Sequence, residues 1–174
     1  LPPYLKLAYL PNPGAVRLRL SAYEVDGASA AEEIGRQFEA LRRLIPEHVV
    51  GFETASVQEL VHDRLTERGL TLAVAESCTG GAIAARVTAL PGASAYFRCG
   101  VVAYSNEAKH DLLGVDPQAI ERHGAVSEEV ARQMAQGVRR AARADYAVAT
   151  TGIAGPTGGS ERKPVGTVWI AVAT

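Results

Sequence analysis

Three short stretches of the sequence concentrate the residues able to do chemistry. In "AVAESCTGG", Ala73 to Gly81, an apolar run gives way to a carboxylate, a hydroxyl, a thiol and a second hydroxyl, followed by two glycines. A serine in such a turn is a nucleophile if a neighbouring base takes its proton, and a cysteine at a helix amino terminus is a rival because its thiolate is favoured there. Ser77 or Thr79 can equally serve as a helix cap. In "YSNEAK", Tyr104 to Lys109, the lysine falls within the first turns of an expected helix, where the dipole disfavours a positive charge. A solvated surface lysine and a functional base or phosphate contact both fit that position. The third stretch, "TTGIAGPTGGSERKPVG" from Thr150 to Gly166, holds five glycines and few side chains able to pack a core. A loop of this length commonly binds something, and glycines let backbone amides approach a ligand closely.

These stretches need elements to position them, and periodicity supplies candidates. Thr71–Ala75, Gly100–Tyr104, Tyr146–Thr151 and Val165–Ala173 are apolar, mostly unalternating runs, the pattern of strands covered on both faces. Between them, Ser56 and Glu59 fit a capping box ahead of Val57, Leu60, Val61 and Leu65 on one helical face, with Gly69 as the stop. Ile83, Val87 and Leu90 mark a second helix ended by Pro91-Gly92. A short helix stops at Gly114, Asp116-Pro117 opens another, and Val130, Met134, Val138 and Ala142 mark a longer one. The pattern predicts an α/β fold, a helix-sandwiched sheet in three α/β/α layers. All three chemical stretches follow strands, at the edge where open α/β sheets collect ligands, and the amino-terminal N–H groups at Thr79, Gly80 and Gly81 offer a phosphate or oxyanion site. Ser77 is expected to cap its helix and also to line the site.

The segment 1–54 reads differently. Leu5–Leu10 and Val16–Tyr23 alternate like half-buried strands around a turn at Pro11, Asn12, Pro13 and Gly14. Ile34, Phe38, Leu41 and Ile45 follow at helical spacing, and Val49–Phe52 offers a third strand. This is a small, incomplete α+β unit preceding a domain over 55–174.

Composition narrows the function classes. A 174-residue chain with 47% hydrophobic residues and a net charge of -1 has no basic excess, which argues against a nucleic-acid partner. Without a span-length apolar run or a secretory pattern, the expectation is cytoplasmic, with Cys78 and Cys99 reduced.

"AESCTGG", "YSNEAK", "HGAVSEEVA", "TGIAGPTGG" and "KPVGTVWIAVAT", in that order, resemble the C-terminal domain of the CinA (competence/damage-inducible) family, the nicotinamide mononucleotide amidohydrolase. The resemblance covers roughly Ser56 to Thr174 and implies hydrolysis of the carboxamide of nicotinamide mononucleotide to nicotinate mononucleotide and ammonia, with no cofactor or metal. It implies a homodimer, a KH-like character for the first unit without the G-x-x-G clamp of an RNA binder, and a carboxyl-terminal domain cut short of a last strand, a "GDR" motif and a helix. The family's important polar positions fall on Ser77, Ser94, Tyr104, Lys109 and Thr151. Amide hydrolysis needs a nucleophile and a proton shuttle, and a lysine serves as base when burial brings its pKa from about 10.4 towards roughly 7 to 8. Tyr104 would relay the proton. Either Ser94 or Ser77 would attack, with Ser94 favoured and Ser77 and Thr151 orienting. Glu76, Thr79, Gly80, Gly81, Gly152, Gly155, Pro156, Thr157, Gly158, Gly159 and Lys163 are the expected substrate contacts, the last six for phosphate or ribose. A pyridine-nucleotide-binding regulatory module without turnover is the alternative.

Overall fold

Alternation and capping decide the local structure. The computed structural model describes residues 1–12, 15–51 and 56–174, and the chain divides into two compact units, Leu1–Glu53 and Thr54–Thr174. In the first, β1 (Leu5–Asn12) and β2 (Ala15–Ala22) form an antiparallel hairpin in register from Leu5↔Ala22 to Asn12↔Ala15. Pro11 and Asn12 therefore belong to the strand rather than to the expected turn, and Pro13 and Gly14 lie outside the described residues. Helix α1 (Gly27–Leu44) starts where the Asp26 carboxylate accepts the N–H groups of Ala28 and Ser29 at 3.1 and 3.0 Å, a side-chain cap that satisfies amides the helix itself leaves unpaired. It lies against β2. The third strand expected at Val49–Phe52 is not formed: residues 49–51 pair with nothing in a sheet, and Phe52 is outside the described residues.

The second unit carries α2 (Val57–Arg68), β3 (Leu72–Glu76), α3 (Ala82–Thr88), β4 (Phe97–Val102), α4 (Asn106–Leu113), α5 (Pro117–His123), α6 (Glu128–Ala142), β5 (Tyr146–Gly152) and β6 (Val168–Ala173). Its sheet runs β4-β3-β5-β6, with β3 parallel to both neighbours and β6 antiparallel at the edge. Successive side chains of a strand face opposite ways. Ala73, Ala75, Ala147 and Ala149 accordingly pack with Leu113, Val130, Met134 and Val138 of α4 and α6, whereas Leu72 and Val74 pack with Leu65, Val87 and Tyr96. Helices cover both faces, as expected. Small alanines on the first face admit α6 close to the sheet, and Gly137 admits α4 close to α6, since a Cβ there would collide with the Leu113 carbonyl.

Strand character differs from expectation in two places. β3 is buried throughout, but β4 alternates, and β6 leaves Ile170 and Val172 67% and 64% exposed because they point away from α6, the helix that packs on this strand. On α2, the capping box of Ser56 and Glu59 and the left-handed Gly69 stop are in place. Its buried side is centred on Leu65, with Val57 and Val61 of the expected face exposed. The helix is rotated to set His62 edge-on against Tyr96, ring centroids 5.3 Å apart. Helix α3 ends at Thr88, before Leu90.

Register is set at the amino ends of β3 and β5. Thr71 donates its N–H and its hydroxyl to the Asp145 carboxylate at 2.8 and 2.6 Å, and the Asp145 N–H returns a bond to the Thr71 hydroxyl at 3.0 Å. From this clasp the pairing runs Leu72↔Tyr146 to Glu76↔Thr150, which brings the turn after β3 beside Thr150 and Thr151. Among the described residues no helix is long and apolar enough to cross a membrane.

Candidate active site

Lys109 is not the solvated lysine its place in α4 allows. Ser105 caps α4 by accepting the Ala108 N–H, and the helix then directs Lys109 inward, leaving it only 2% exposed. Its amine donates to the Ser77 hydroxyl oxygen at 3.2 Å, to the Ala103 carbonyl at 3.0 Å and to the Tyr104 carbonyl at 3.2 Å. The described residues give it no ion pair. Burial pushes its pKa below the ordinary lysine range, against a smaller opposing pull from Cys78. The geometry suits both protonation states: an ammonium has three donors for these three oxygens, and a neutral amine keeps two for the carbonyls and turns its lone pair to the Ser77 hydroxyl.

Ser77 sits in the turn between β3 and α3, buried, with its N–H bonded to the Thr150 carbonyl at 3.0 Å. It does not cap the helix, contrary to the expectation. The cap position is Gly81, which has no capping side chain. Gly80 and Gly81 both stand at positive φ, a conformation that costs side-chain-bearing residues energy and that explains the glycine pair. The helix is capped instead from inside the fold. Glu76, 1% exposed, accepts the N–H groups of Gly81 and Ile83 at 3.0 and 3.1 Å on one carboxylate oxygen and that of Ala84 at 2.8 Å on the other. Burial works against this carboxylate, but bonds from the Thr79 hydroxyl and the Ala84, Ile83 and Gly81 amides together hold its pKa below the usual carboxylate range.

This takes up the Gly80 and Gly81 amides of the expected anion site. The helix amino terminus already holds an internal carboxylate; Gly80 donates its N–H to the Ser77 carbonyl, and the Thr79 hydroxyl is paired with that of Thr150 at 2.8 Å. Glu76, Thr79, Gly80 and Gly81 build the turn and do not line the neighbouring cleft. What remains is a cleft of about 210 Å³ lined by Ser77, Cys78, Tyr104, Asn106, Lys109, Ala125, Val126, Thr151, Gly152 and Ala154. The cleft thus unites Ser77, Tyr104, Lys109 and Thr151. Thr151 is buried and donates its hydroxyl to the Ala125 carbonyl at 2.9 Å, and Tyr104 stands 73% exposed while its backbone carbonyl holds Lys109.

Ser94 is elsewhere. It lies in a single 3₁₀ turn, Ala93–Ala95, just before β4, whose Phe97 pairs with Leu72 at the start of β3, whereas Ser77 follows its end. A strand advances about 3.3 Å per residue. The full length of β3 therefore separates the two serines along the sheet, and one chain does not bring Ser94 to Lys109. The glycine-rich loop contributes Gly152 and Ala154 to the cleft, but Gly155, Pro156, Thr157, Gly158 and Gly159 do not line it. Lys163 is also committed: its amine donates to the His123 carbonyl at the carboxyl end of α5, where a cation is favoured. Asn106, Ala125 and Val126 line the cleft without being singled out by the sequence. For Asn106 the available signal is its place within "YSNEAK", three residues before the lysine and so on the same side of the helix.

Residues 54–174 match a family model described as the CinA C-terminal domain. A CinA-like protein of Chlorobaculum tepidum is 47% identical over 174 residues, covering 100% of this chain and 41% of the relative. A CinA-like protein of Flavobacterium psychrophilum is 46% identical, covering 100% of this chain and 42% of the relative. The chain therefore spans about two fifths of the length of these relatives. Among solved structures, the competence/damage inducible protein CihA from Agrobacterium tumefaciens superposes with a TM-score of 0.65 at 46% identity, over 70% of this chain and 76% of that one. A competence-damaged protein (CinA) superfamily protein from Escherichia coli gives 0.65 at 36%, over 74% and 77%.

Proposed function

Because the chain belongs to the CinA family, we propose that its second unit is an amidohydrolase that converts the carboxamide of nicotinamide mononucleotide to the carboxylate of nicotinate mononucleotide, releasing ammonia. The observation that carries this reading is the buried amine of Lys109 on the Ser77 hydroxyl at 3.2 Å, with no acid beside it among the described residues.

A lysine whose ammonium is disfavoured by burial gives up its proton more readily than a solvated one and so suits a base, and a hydroxyl whose proton it can take is a nucleophile. Ser77 Oγ attacks the carboxamide carbon as its proton passes to Lys109 Nζ. The ammonium then returns a proton to the amide nitrogen as the C–N bond breaks and ammonia leaves, giving an ester on Ser77. Water attacks that ester, Lys109 takes its proton and passes it to Ser77 Oγ, and the carboxylic acid so freed ionises, giving its remaining proton to the released ammonia or to water. The Ala103 and Tyr104 carbonyls keep Nζ in place throughout, and Thr151, tied to Ala125, walls the cleft. Ser77 replaces Ser94 as the nucleophile, and Tyr104 contributes its carbonyl rather than a proton relay.

The test is ammonia release from nicotinamide mononucleotide and from free nicotinamide. The nucleotide should react far faster, because binding its ribose and phosphate orients the carboxamide. Ser77→Ala should abolish turnover. Equal rates on the two substrates, or turnover by Ser77→Ala, would refute the proposal, and tight binding of the nucleotide without ammonia release would identify a regulatory module instead.

A further inference from the structure

We propose that Asn106 is a specificity residue that recognises the amide group of the substrate and disfavours the acid product. The inference rests on the amidohydrolase reading and names the side chain that sets its ligand preference. Most polar groups of the cleft are already committed. Ser77 and Lys109 hold each other, and the Thr151 hydroxyl donates to Ala125. Asn106 lines the cleft, and its side chain makes no hydrogen bond to the described residues.

Its position suits the task. Asn106 and Lys109 are three residues apart on α4, a spacing that makes side chains neighbours on one helical face. A group attacked by Ser77 next to Lys109 is therefore within reach of the asparagine. Of the uncommitted side chains in the cleft, only that of Asn106 presents both a carbonyl acceptor and an NH₂ donor in one plane. A primary carboxamide presents the same two functions, so the pair can exchange two hydrogen bonds. A carboxylate has acceptors alone. Asn106 Nδ2 can still donate to one of its oxygens, but Oδ1 then faces the other, losing one bond and opposing a negative charge with a carbonyl dipole. The loss of one bond corresponds to about tenfold in affinity. The tyrosine hydroxyl of Tyr104 can donate to either group and so does not discriminate. The acid formed in the cleft is thus held less tightly than the amide it came from.

The experiment measures dissociation constants of nicotinamide mononucleotide and nicotinate mononucleotide by calorimetry, on Ser77→Ala protein so that the amide survives, with and without Asn106→Ala or Asn106→Asp. Ser105, not Asn106, caps α4, so the alanine at the first helical position leaves the cap bond in place. The parent should prefer the amide about tenfold or more. Asn106→Ala should erase the preference by weakening the amide about tenfold or more relative to the acid, and Asn106→Asp should weaken the acid most. Equal weakening of both nucleotides by Asn106→Ala would place the residue on their shared ribose phosphate and overturn the proposal, as would no effect on either or the absence of binding. Ammonia release by the unaltered protein is followed in parallel. Hydrolysis without an Asn106-dependent preference refutes this inference alone, whereas an Asn106-dependent preference without hydrolysis refutes only the amidohydrolase reading.

Discussion

Glu76→Gln removes the internal cap of α3 while preserving its shape. In the native turn one carboxylate oxygen accepts two backbone N–H groups and the other accepts a third. A glutamine can keep its carbonyl oxygen on the pair from Gly81 and Ile83, but its NH₂ then faces the Ala84 N–H, donor against donor. One hydrogen bond to a charged group is lost, about 1.5–3 kcal/mol, and so is the interaction of a negative charge with the helix amino terminus, about 1 kcal/mol. At 1% exposure, water does not screen this interaction or repair its loss. The sum is about 3 kcal/mol, which for a unit of this size lowers Tm by roughly 10 °C. Differential scanning calorimetry at neutral pH measures it. The pH dependence has a definite sign. The folded carboxyl is held below its ordinary value, so its stabilisation is complete above the unfolded value of about 4.3 and is lost as pH falls through the folded one. The gap between native protein and variant should therefore be constant near neutrality and close in acid. A Tm within about 2 °C of native at neutral pH, or a gap that widens on acidification, would refute the reasoning.

Lys109→Arg keeps the charge but cannot deprotonate, so kcat should fall at least about 100-fold, the scale of general-base catalysis, and a variant with near-native kcat would exclude proton transfer at this position. Since burial lowers the Lys109 pKa, kcat/KM should rise with pH through that lowered value. Folding stability should likewise rise with pH between it and about 10.4, where the unfolded chain binds the extra proton, and Lys109→Met should flatten the rise in urea titrations. Gly137→Ala should destabilise by about 3 kcal/mol or more, because its methyl group meets the Leu113 carbonyl where two helices touch. A change within about 0.5 kcal/mol in the same titrations, the range of an unremarkable surface substitution, would contradict the packing.

Much of the second unit is legible in the sequence because its signals are local. The Ser56 and Glu59 capping box, the Asp116-Pro117 start and the glycine stops at Gly69 and Gly114 each depend on a few neighbouring residues, and each holds. Lys109 and Ser77 are recognisable as chemistry-bearing, but their partnership depends on how two strand ends align, a fact about pairing across the sheet. Glu76 is misjudged from sequence for a related reason. The rule that helix amino termini bind anions is correct, and the anion proves to be a side chain of the same turn, which spacing alone does not distinguish from a ligand contact. Ser94 is favoured by resemblance and lies at the opposite end of the strands, a separation visible only once the register is known. In the hairpin, Pro11 and Asn12 read as punctuation yet pair, because an edge position tolerates a proline that lacks its N–H.

The clasp between Thr71 and Asp145 lies a full strand length away from any group the chemistry uses, yet it decides which residues stand opposite Ser77. Sliding β5 by one position would exchange the faces of Thr150 and Thr151 and carry the wall of the cleft away from the amine. Around the cleft, loops can be revised one residue at a time to suit a changed ligand. At the clasp, an exchange that loosens the pairing would displace the walls of the cleft without altering any residue that lines it.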